Sequence, residues 1–171
     1  VPSTPLKEEP EKSALIVVES PVVAFDKVIR KYGAPEIPFQ PGIHPTAVVA
    51  EGVDLDETKV SVGPCAVINS GVKIGNGTRI GAQVVVSEEA IIGEDCHIYP
   101  NVCIREGTQI GDRVIIHSNS VIGSDGYGYE FRGGKHVKIL QAGIVELHDD
   151  VEIGAGAVSY THLTLPTRSW V

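Results

Sequence analysis

The side chains best suited to chemistry in this 171-residue chain are a histidine and a group of polar and aromatic residues that follows it. His117 comes directly after two isoleucines, and histidine is the commonest general base for removing a proton from an attacking nucleophile. Asp125, Tyr127 and Tyr129 lie in the segment GSDGYGY, and Lys138 lies in GGKHVKI a few residues later. Long loops of this composition often bind ligands, so we take these four residues as candidate substrate-binding residues.

The same loop has a purely structural alternative. Asp125 and Gly126 are typical of a tight turn, and the tyrosines would then only anchor the loop on its support. Arg132, Lys135 and His136 make the segment locally basic in an acidic chain. That charge would attract an acidic carrier protein or a diphosphate, although a solvated loop explains it equally well.

Metal and thiol chemistry are not indicated. His117 follows His97 by 20 residues, two more than the 18-residue coil that would place one directly above the other. No closely spaced histidine pair occurs either, so we predict no metal site. The chain has three cysteines, an odd number without a CxxC motif, which indicates free thiols in a reducing compartment. Cys96 is expected to be buried.

Charge and composition exclude several classes of protein. A formal charge of -8 disfavours nonspecific binding to nucleic acid or to an anionic membrane surface. No apolar run is long enough for a transmembrane segment, and the N-terminal residues lack the apolar core of a signal peptide. We expect a cytoplasmic protein, with peripheral association with the inner membrane left open. The absence of methionine indicates a processed product or a fragment.

The candidate residues must be positioned by a repeat with a period of six. Valine and isoleucine number 42 against 7 leucines, which favours strands. An apolar residue recurs at every sixth position without interruption: Val62, Ile68, Ile74, Ile80, Val86, Ile92, Ile98, Ile104, Ile110, Ile116 and Ile122. The fourth residue after each of the first ten is small or β-branched, and glycine often follows the apolar residue directly, as at Gly63, Gly75, Gly81, Gly93, Gly111 and Gly123.

Neither a helix nor a flat strand has this period, but short strands joined by tight turns do. We therefore predict an all-β fold, a parallel β-helix of three faces with both constrained positions pointing inward. The glycines are expected to adopt unusual dihedral angles where the chain bends. An extra residue between Leu55 and Val62 implies a bulged corner.

These patterns predict the domain organisation. Residues 1–13 are an irregular extension, and residues 14–41 comprise a strand, an amphipathic helix after Pro21 and a linker. The β-helix occupies residues 42–157 with a loop inserted at 124–142, and resumes at Leu147 and Ile153 with Val151 and Ala157 in the small positions. Residues 158–171 break the pattern and are predicted to be an aberrant, artefactual tail.

The order of these segments resembles a known family. From Ala14 to Ala157, the segments ALIVVESPVVAF, GIHPTAVVA, the hexads and IIHSNSVIGSDGYGYEFRGGKHVKILQAGIVELHDDVEIGAG are similar to the UDP-3-O-(3-hydroxyacyl)glucosamine N-acyltransferases of lipid A biosynthesis. The resemblance implies that residues 14–41 are the end of a small, truncated α/β N-terminal domain. It implies a left-handed winding of the β-helix and a homotrimer with active sites between subunits. It also implies that acyl carrier protein donates a 3-hydroxyacyl chain to a UDP-3-O-acyl-glucosamine, with no cofactor beyond the carrier thioester.

In that family a histidine in an isoleucine-alanine-histidine-asparagine run acts as the base, and aromatic residues of the N-terminal domain bind uridine. Neither motif occurs in this sequence. We therefore expect this chain to be a fragment that is truncated at both ends and inactive by itself. His117 is its one candidate catalytic residue, and it is one position out of register with the family's base.

Two alternatives stay open. One is a different hexapeptide acyltransferase, either the UDP-N-acetylglucosamine O-acyltransferase or a sugar acetyltransferase. The other is a non-catalytic β-helix scaffold. The outward residues count against a scaffold, because they are of mixed types.

Overall fold

A computed structural model describes residues 16–33 and 38–160, and the backbone of residues 164–165. The chain divides into two compact units between Pro38 and Phe39. Each unit is described by itself.

The described part of the first unit is a single helix, α1, Pro21–Tyr32. Ser20 caps its N-terminus, Pro21 occupies the first turn, and the Gly33 amide donates to the Ile29 carbonyl at 2.7 Å. The helix predicted after Pro21 is thus observed. The strand predicted before this helix is not observed: residues 16–20 form no strand, and the Ile16 side chain is 82% exposed. A strand is stabilised by pairing with a neighbour, and residues 16–33 contain none to pair with.

The second unit is a β-solenoid in which three parallel sheets form the faces of a prism. Sheet A contains β1 (Gly42–Ile43), β3 (Ser61–Val62), β6 (Arg79–Ile80), β9 (His97–Ile98), β12 (Ile115–Ile116) and β17 (Glu152–Ile153). Sheet B contains β2 (Val48–Val49), β4 (Val67–Ile68), β7 (Val85–Val86), β10 (Cys103–Ile104), β13 (Val121–Ser124) and β18 (Val158–Tyr160). Sheet C contains β5 (Lys73–Ile74), β8 (Ile91–Ile92), β11 (Gln109–Ile110), β16 (Glu146–Leu147) and β19 (Thr164–Leu165).

The core consists of the residues that the six-residue period selects. In strands β3 to β12, and in β16 and β17, the first residue points outward and the second inward. Residues one coil apart pair directly, as Ile80 does with Ile98. Every apolar residue of the repeat from Val62 to Ile122 is at most 6% exposed, and the ten small or β-branched residues are at most 1% exposed. The predicted inward positions are confirmed, including Leu147, Val151 and Ile153.

The prediction that the glycines after the apolar residues adopt unusual dihedral angles was wrong at five of the six positions. Among them only Gly123 has a positive φ. A Cβ on Gly75 would lie 2.6 Å from the Gly93 carbonyl carbon, and one on Gly81 would lie 2.7 Å from the Pro100 nitrogen. These glycines allow the backbones of adjacent coils to approach, which is a packing requirement.

The left-handed residues instead lie three positions after each buried apolar residue. From Cys65 to Asn119 all ten such residues have φ between 53° and 76°. Seven of these ten amides, from Gly77 to Arg113, donate to a backbone carbonyl of the preceding coil; the Gln83 amide, for example, donates to the Pro64 carbonyl at 2.9 Å. At these seven corners the chain turns on a single left-handed residue whose amide is paired with the preceding coil.

Two irregularities interrupt the coils. The longer corner after Leu55 is a turn in which Asp56 Oδ1 accepts hydrogen bonds from the amide and hydroxyl of Thr58. The insertion at 124–142 contains a two-stranded antiparallel hairpin of β14 (Tyr129–Arg132) and β15 (Lys135–Lys138), so it is more ordered than the predicted loop.

The solenoid continues beyond the predicted boundary at residue 157. β18 pairs with β13 in sheet B, and the backbone of β19 pairs with β16 in sheet C. Ser159 takes the inward position and is 4% exposed, because a serine is small enough to fit there. Its hydroxyl has no hydrogen-bond partner in the described part of the chain.

Candidate functional site

The hairpin insertion brings the four predicted binding residues together. It leaves the prism after β13, which ends at Ser124, and the first residue beyond that strand is Asp125. Lys138 Nζ forms an ion pair with Asp125 Oδ2, which joins the two ends of the hairpin. This hydrogen bond from Lys138 holds the pKa of the Asp125 carboxyl below its usual value. The pair therefore closes the insertion at its base.

The two tyrosines lie beside this ion pair. Tyr129 is the direct cross-strand partner of Lys138, and its ring centroid is 5.2 Å from that of Tyr127, with the planes at 44°. The Ile139 amide donates to the Gly128 carbonyl at 2.8 Å, which extends the hairpin toward Tyr127. The Tyr127 side chain is 89% exposed, so it is available to a ligand and does not anchor the insertion.

The remaining basic residues lie farther along the hairpin. Arg132 is paired with Glu130, and the His136 ring lies edge-on to Phe131 with centroids 5.2 Å apart. From Glu130 to His136 the tip has two cationic side chains, Arg132 and Lys135, and one acidic side chain, Glu130. The tip therefore keeps a net positive charge, whereas Lys138 at the base is neutralised by Asp125.

His117 lies elsewhere, in a stack of rings at the edge of sheet A. The Tyr99 ring lies between the two histidines, with its centroid 4.1 Å from that of His97 and 4.9 Å from that of His117. His117 Nε2 is 2.7 Å from Glu152 Oε1, so this carboxylate fixes the orientation of the imidazole. A histidine held by a carboxylate is chemically able to accept a proton, but this one has a ring packed against its face.

Sequence reasoning missed Tyr99 and Glu152. Tyr99 precedes His117 by 18 residues, the length of one coil, so the spacing alone could have placed the two rings one above the other. Glu152 belongs to the coil after the insertion, where the register could not be counted from His117.

His97 has an electrostatic environment different from that of its stacking partners. Burial, the charge of Arg79 and the proximity of His117 together lower the pKa of its imidazole. The Arg79 guanidinium also lies over the Phe39 ring, 5.3 Å from its centroid.

No metal site is evident in the part of the chain that the structure describes, where no three histidine, cysteine, aspartate or glutamate side chains cluster suitably. Cys96 packs in the core, and burial raises the pKa of its thiol to about 11. Over the same residues no helix is both long and apolar enough to cross a membrane.

Comparison with known proteins gives one consistent family of relatives. A model of the bacterial transferase hexapeptide family (six repeats) matches residues 89–124. The chain is 51% identical over 141 residues to a UDP-3-O-acylglucosamine N-acyltransferase of Methylacidiphilum infernorum, covering 82% of this chain and 40% of that protein. It is 40% identical over 144 residues to the enzyme of the same name from Polynucleobacter asymbioticus, covering 81% of this chain and 40% of that protein.

The chain therefore spans about 40% of the length of the curated relatives that it matches. Among solved structures, a mutant perosamine N-acetyltransferase of Caulobacter crescentus is 22% identical, with a TM-score of 0.41, over 83% of this chain and 57% of that one.

Proposed function

The chain belongs to the UDP-3-O-acylglucosamine N-acyltransferase family over the segment that it shares with these relatives, and on this premise we propose that its protein is an N-acyltransferase of lipid A biosynthesis. It transfers a 3-hydroxyacyl chain from acyl carrier protein to the 2-amino group of a UDP-3-O-acyl-glucosamine. The identity of about half the residues over 82% of the chain carries the proposal. The protein acts in the cytoplasm as a homotrimer, at the periphery of the inner membrane.

The reaction needs no cofactor other than the carrier thioester. The glucosamine amine attacks the thioester carbonyl, a carbon–nitrogen bond forms, the carbon–sulfur bond breaks, and the amine proton goes to a general base while the carrier thiol leaves. Among the residues described, His117 is the best candidate for this general base. Its ring is stacked on that of Tyr99, and this contact fits a structural role at least as well as a catalytic one.

We assign the hairpin insertion to substrate binding. Asp125 and Lys138 hold its base closed, and the exposed Tyr127 and neighbouring Tyr129 form an amphipathic surface beside them. Phenol rings offer both a flat apolar face and a hydroxyl donor, which suits a sugar or an acyl chain. The cationic tip suits the diphosphate or the acidic carrier.

The test is an assay of the protein that carries this segment, with 3-hydroxyacyl carrier protein and UDP-3-O-acyl-glucosamine. We expect N-acylation of the sugar, and little transfer from acetyl coenzyme A. Transfer from acetyl coenzyme A with none from the acylated carrier would instead favour a sugar acetyltransferase, and no transfer from either donor would favour a scaffold.

Substitution of the hairpin tests the assigned residues. Lys138→Met should raise the KM for the UDP-sugar about tenfold or more, because it opens the base of the insertion. Lys73→Met removes an exposed lysine of sheet C, outside the insertion, and should change KM much less. Equal effects of the two variants would contradict a specific role for the ion pair.

A further inference from the structure

The two faces of the hairpin insertion differ in their side chains. In an antiparallel pair of strands, residues directly opposite each other share a face, and successive residues of one strand alternate between faces. Tyr129 is opposite Lys138 and Phe131 is opposite His136, so these four side chains share one face. The ring of Tyr127 lies 5.2 Å from that of Tyr129 and extends this face toward the base of the hairpin.

The same face continues on the returning strand. The Ile139 amide donates to the Gly128 carbonyl at 2.8 Å, so these two residues are opposite each other and the next residue, Leu140, is opposite Tyr127. Leu140 is 86% exposed and Phe131 is 65% exposed. We call this surface the aromatic face; it comprises Tyr127, Tyr129, Phe131, His136, Lys138 and Leu140.

The opposite face of the hairpin is charged. It carries Glu130, Arg132, Lys135 and Val137, and Arg132 is ion-paired with Glu130. On the aromatic face, by contrast, the one ammonium group belongs to Lys138 and is neutralised by Asp125. A contiguous exposed apolar surface of this kind usually marks a binding site.

The shape of the aromatic face favours an extended ligand. Tyr127, Tyr129 and Phe131 occupy alternate positions of the outgoing segment, so their side chains form a line about 13 Å long at the usual rise per residue. One sugar or one nucleobase would cover a single ring of this line. A linear hydrocarbon chain lying along it would contact all three rings.

The polar groups of the aromatic face fit a hydroxylated chain better than a nucleotide. The phenol hydroxyls of Tyr127 and Tyr129 can donate to a hydroxyl group on such a chain or accept from it. A diphosphate would need an unpaired cation, whereas the Lys138 ammonium is engaged by Asp125. An anionic membrane surface would need the same free positive charge, in a chain whose net charge is -8.

We propose that the aromatic face binds an acyl chain of the reaction, with Phe131 and Leu140 as further binding residues beside the two tyrosines. This assignment rests on the proposed function and narrows the ligand of the hairpin to a hydrocarbon chain. Two substrates carry such a chain, the acyl carrier thioester and the UDP-3-O-acyl-glucosamine. The face recognises the chemistry that they share, and the kinetic constants of variants identify which of them supplies the chain.

Two serine variants of the protein that carries this segment compare the faces. Phe131→Ser removes a ring from the aromatic face, and Val137→Ser removes an exposed apolar side chain from the opposite face as a matched control. With a 3-hydroxydodecanoyl carrier, Phe131→Ser should raise KM about tenfold, because the apolar contact of one large side chain is lost. Val137→Ser should leave KM close to the wild-type value.

Two further kinetic readings identify the chain. With a 3-hydroxybutyryl carrier, whose chain makes little apolar contact, Phe131→Ser should resemble the wild type if the donor chain lies on the aromatic face. A rise confined to the KM for UDP-3-O-acyl-glucosamine would show that the face binds the acceptor chain. Either result supports an acyl-binding face.

A binding measurement on this chain needs no catalysis. Phe131→Trp and Val137→Trp place an indole on either face, and the wild-type chain supplies the blank for the emission of Trp170. Titration with 3-hydroxydodecanoate should shift the emission of Phe131→Trp to shorter wavelength, because its indole leaves water, and should leave that of Val137→Trp unchanged. Neither variant should respond to 3-hydroxybutyrate.

The aromatic face and the acyltransferase activity can be refuted separately. Unchanged KM values of Phe131→Ser for both substrates, no emission shift of Phe131→Trp, or equal shifts of both tryptophan variants would overturn the acyl-binding face while transfer continued. A shift of Phe131→Trp by the hydroxy acid in a protein that transfers no acyl chain would keep the face and overturn the proposed function. A shift caused by UDP-glucosamine or by phosphatidylglycerol vesicles, and not by the hydroxy acid, would identify a sugar or a membrane as the ligand and overturn the proposal.

Discussion

At the scale of single residues, close contact between coils places stricter limits on the sequence than backbone conformation does. Gly75, Gly93 and Gly111 all follow an inward residue of sheet C, and a Cβ on Gly93 would lie 2.5 Å from the Gly111 carbonyl oxygen. Contacts this short cannot be relieved by rotating a side chain, because the obstacle is backbone. Substitution at these positions should therefore separate two coils.

Gly75→Ala should destabilise the solenoid by about 1–3 kcal/mol, the usual cost of overpacking a tightly packed site. The matched control is Asn69→Ala, since Asn69 occupies the same position of the repeat on sheet B and already carries a Cβ. Urea denaturation followed by circular dichroism measures both. Equal unfolding midpoints for the two variants would contradict the packing explanation.

The His97 environment predicts a dependence of stability on pH. Its pKa is below the ordinary value of 6.5 because of burial, of the charge of Arg79 and of nearby His117. The unfolded chain then binds the proton more readily than the folded one, so stability is complete above pH 6.5 and falls as pH drops below it toward the folded-state value.

Thermal unfolding of the wild type and His97→Gln between pH 7.5 and pH 5 measures this contribution. His97→Gln should lose part of the decline in Tm on acidification. An identical decline in both proteins would assign it to other groups.

At the scale of the element, each corner depends on one residue in the left-handed region. Gly, Asn or Asp occupies this position at six of the ten corners from Cys65 to Asn119, residue types that tolerate the conformation. Gln83, with φ of 58°, is an exception. Its amide is held by the Pro64 carbonyl, so the corner imposes the conformation on it.

Gln83→Val should destabilise the chain by about 1–2 kcal/mol, because a β-branched residue tolerates the left-handed region poorly. Gln83→Gly removes the same side chain without that strain and should be close to wild type or more stable. Denaturant midpoints distinguish the variants. A glycine variant as unstable as the valine variant would show that the glutamine side chain, and not the backbone, stabilises this corner.

At the scale of the whole molecule, the arrangement of coils creates properties that no single coil has. Each coil contributes one outward residue to sheet B, and stacking aligns five valines and Cys103 into one column. The same stacking aligns His97, Tyr99 and His117 into a continuous column of rings. Both columns are thus products of the 18-residue register.

The sequence by itself determined the solenoid and its core, because a strict period of six makes each inward position a local property: Ile98 is buried for the same reason as Ile80 one coil before it. The same logic could have found Tyr99 under His117. It could not find the role of the glycines, since a glycine signals both a left-handed turn and a close backbone contact, and only the stacked coils show which applies.

Tertiary structure alone decided the contacts that cross the insertion. The 124–142 segment breaks the period, so the coil that contains Glu152 could not be registered against His117, nor Lys138 against Asp125, until the hairpin had been traced back to the prism. The physical reason is that a repeat fixes relations between residues at multiples of its period, whereas an irregular segment fixes them only through its own folded path.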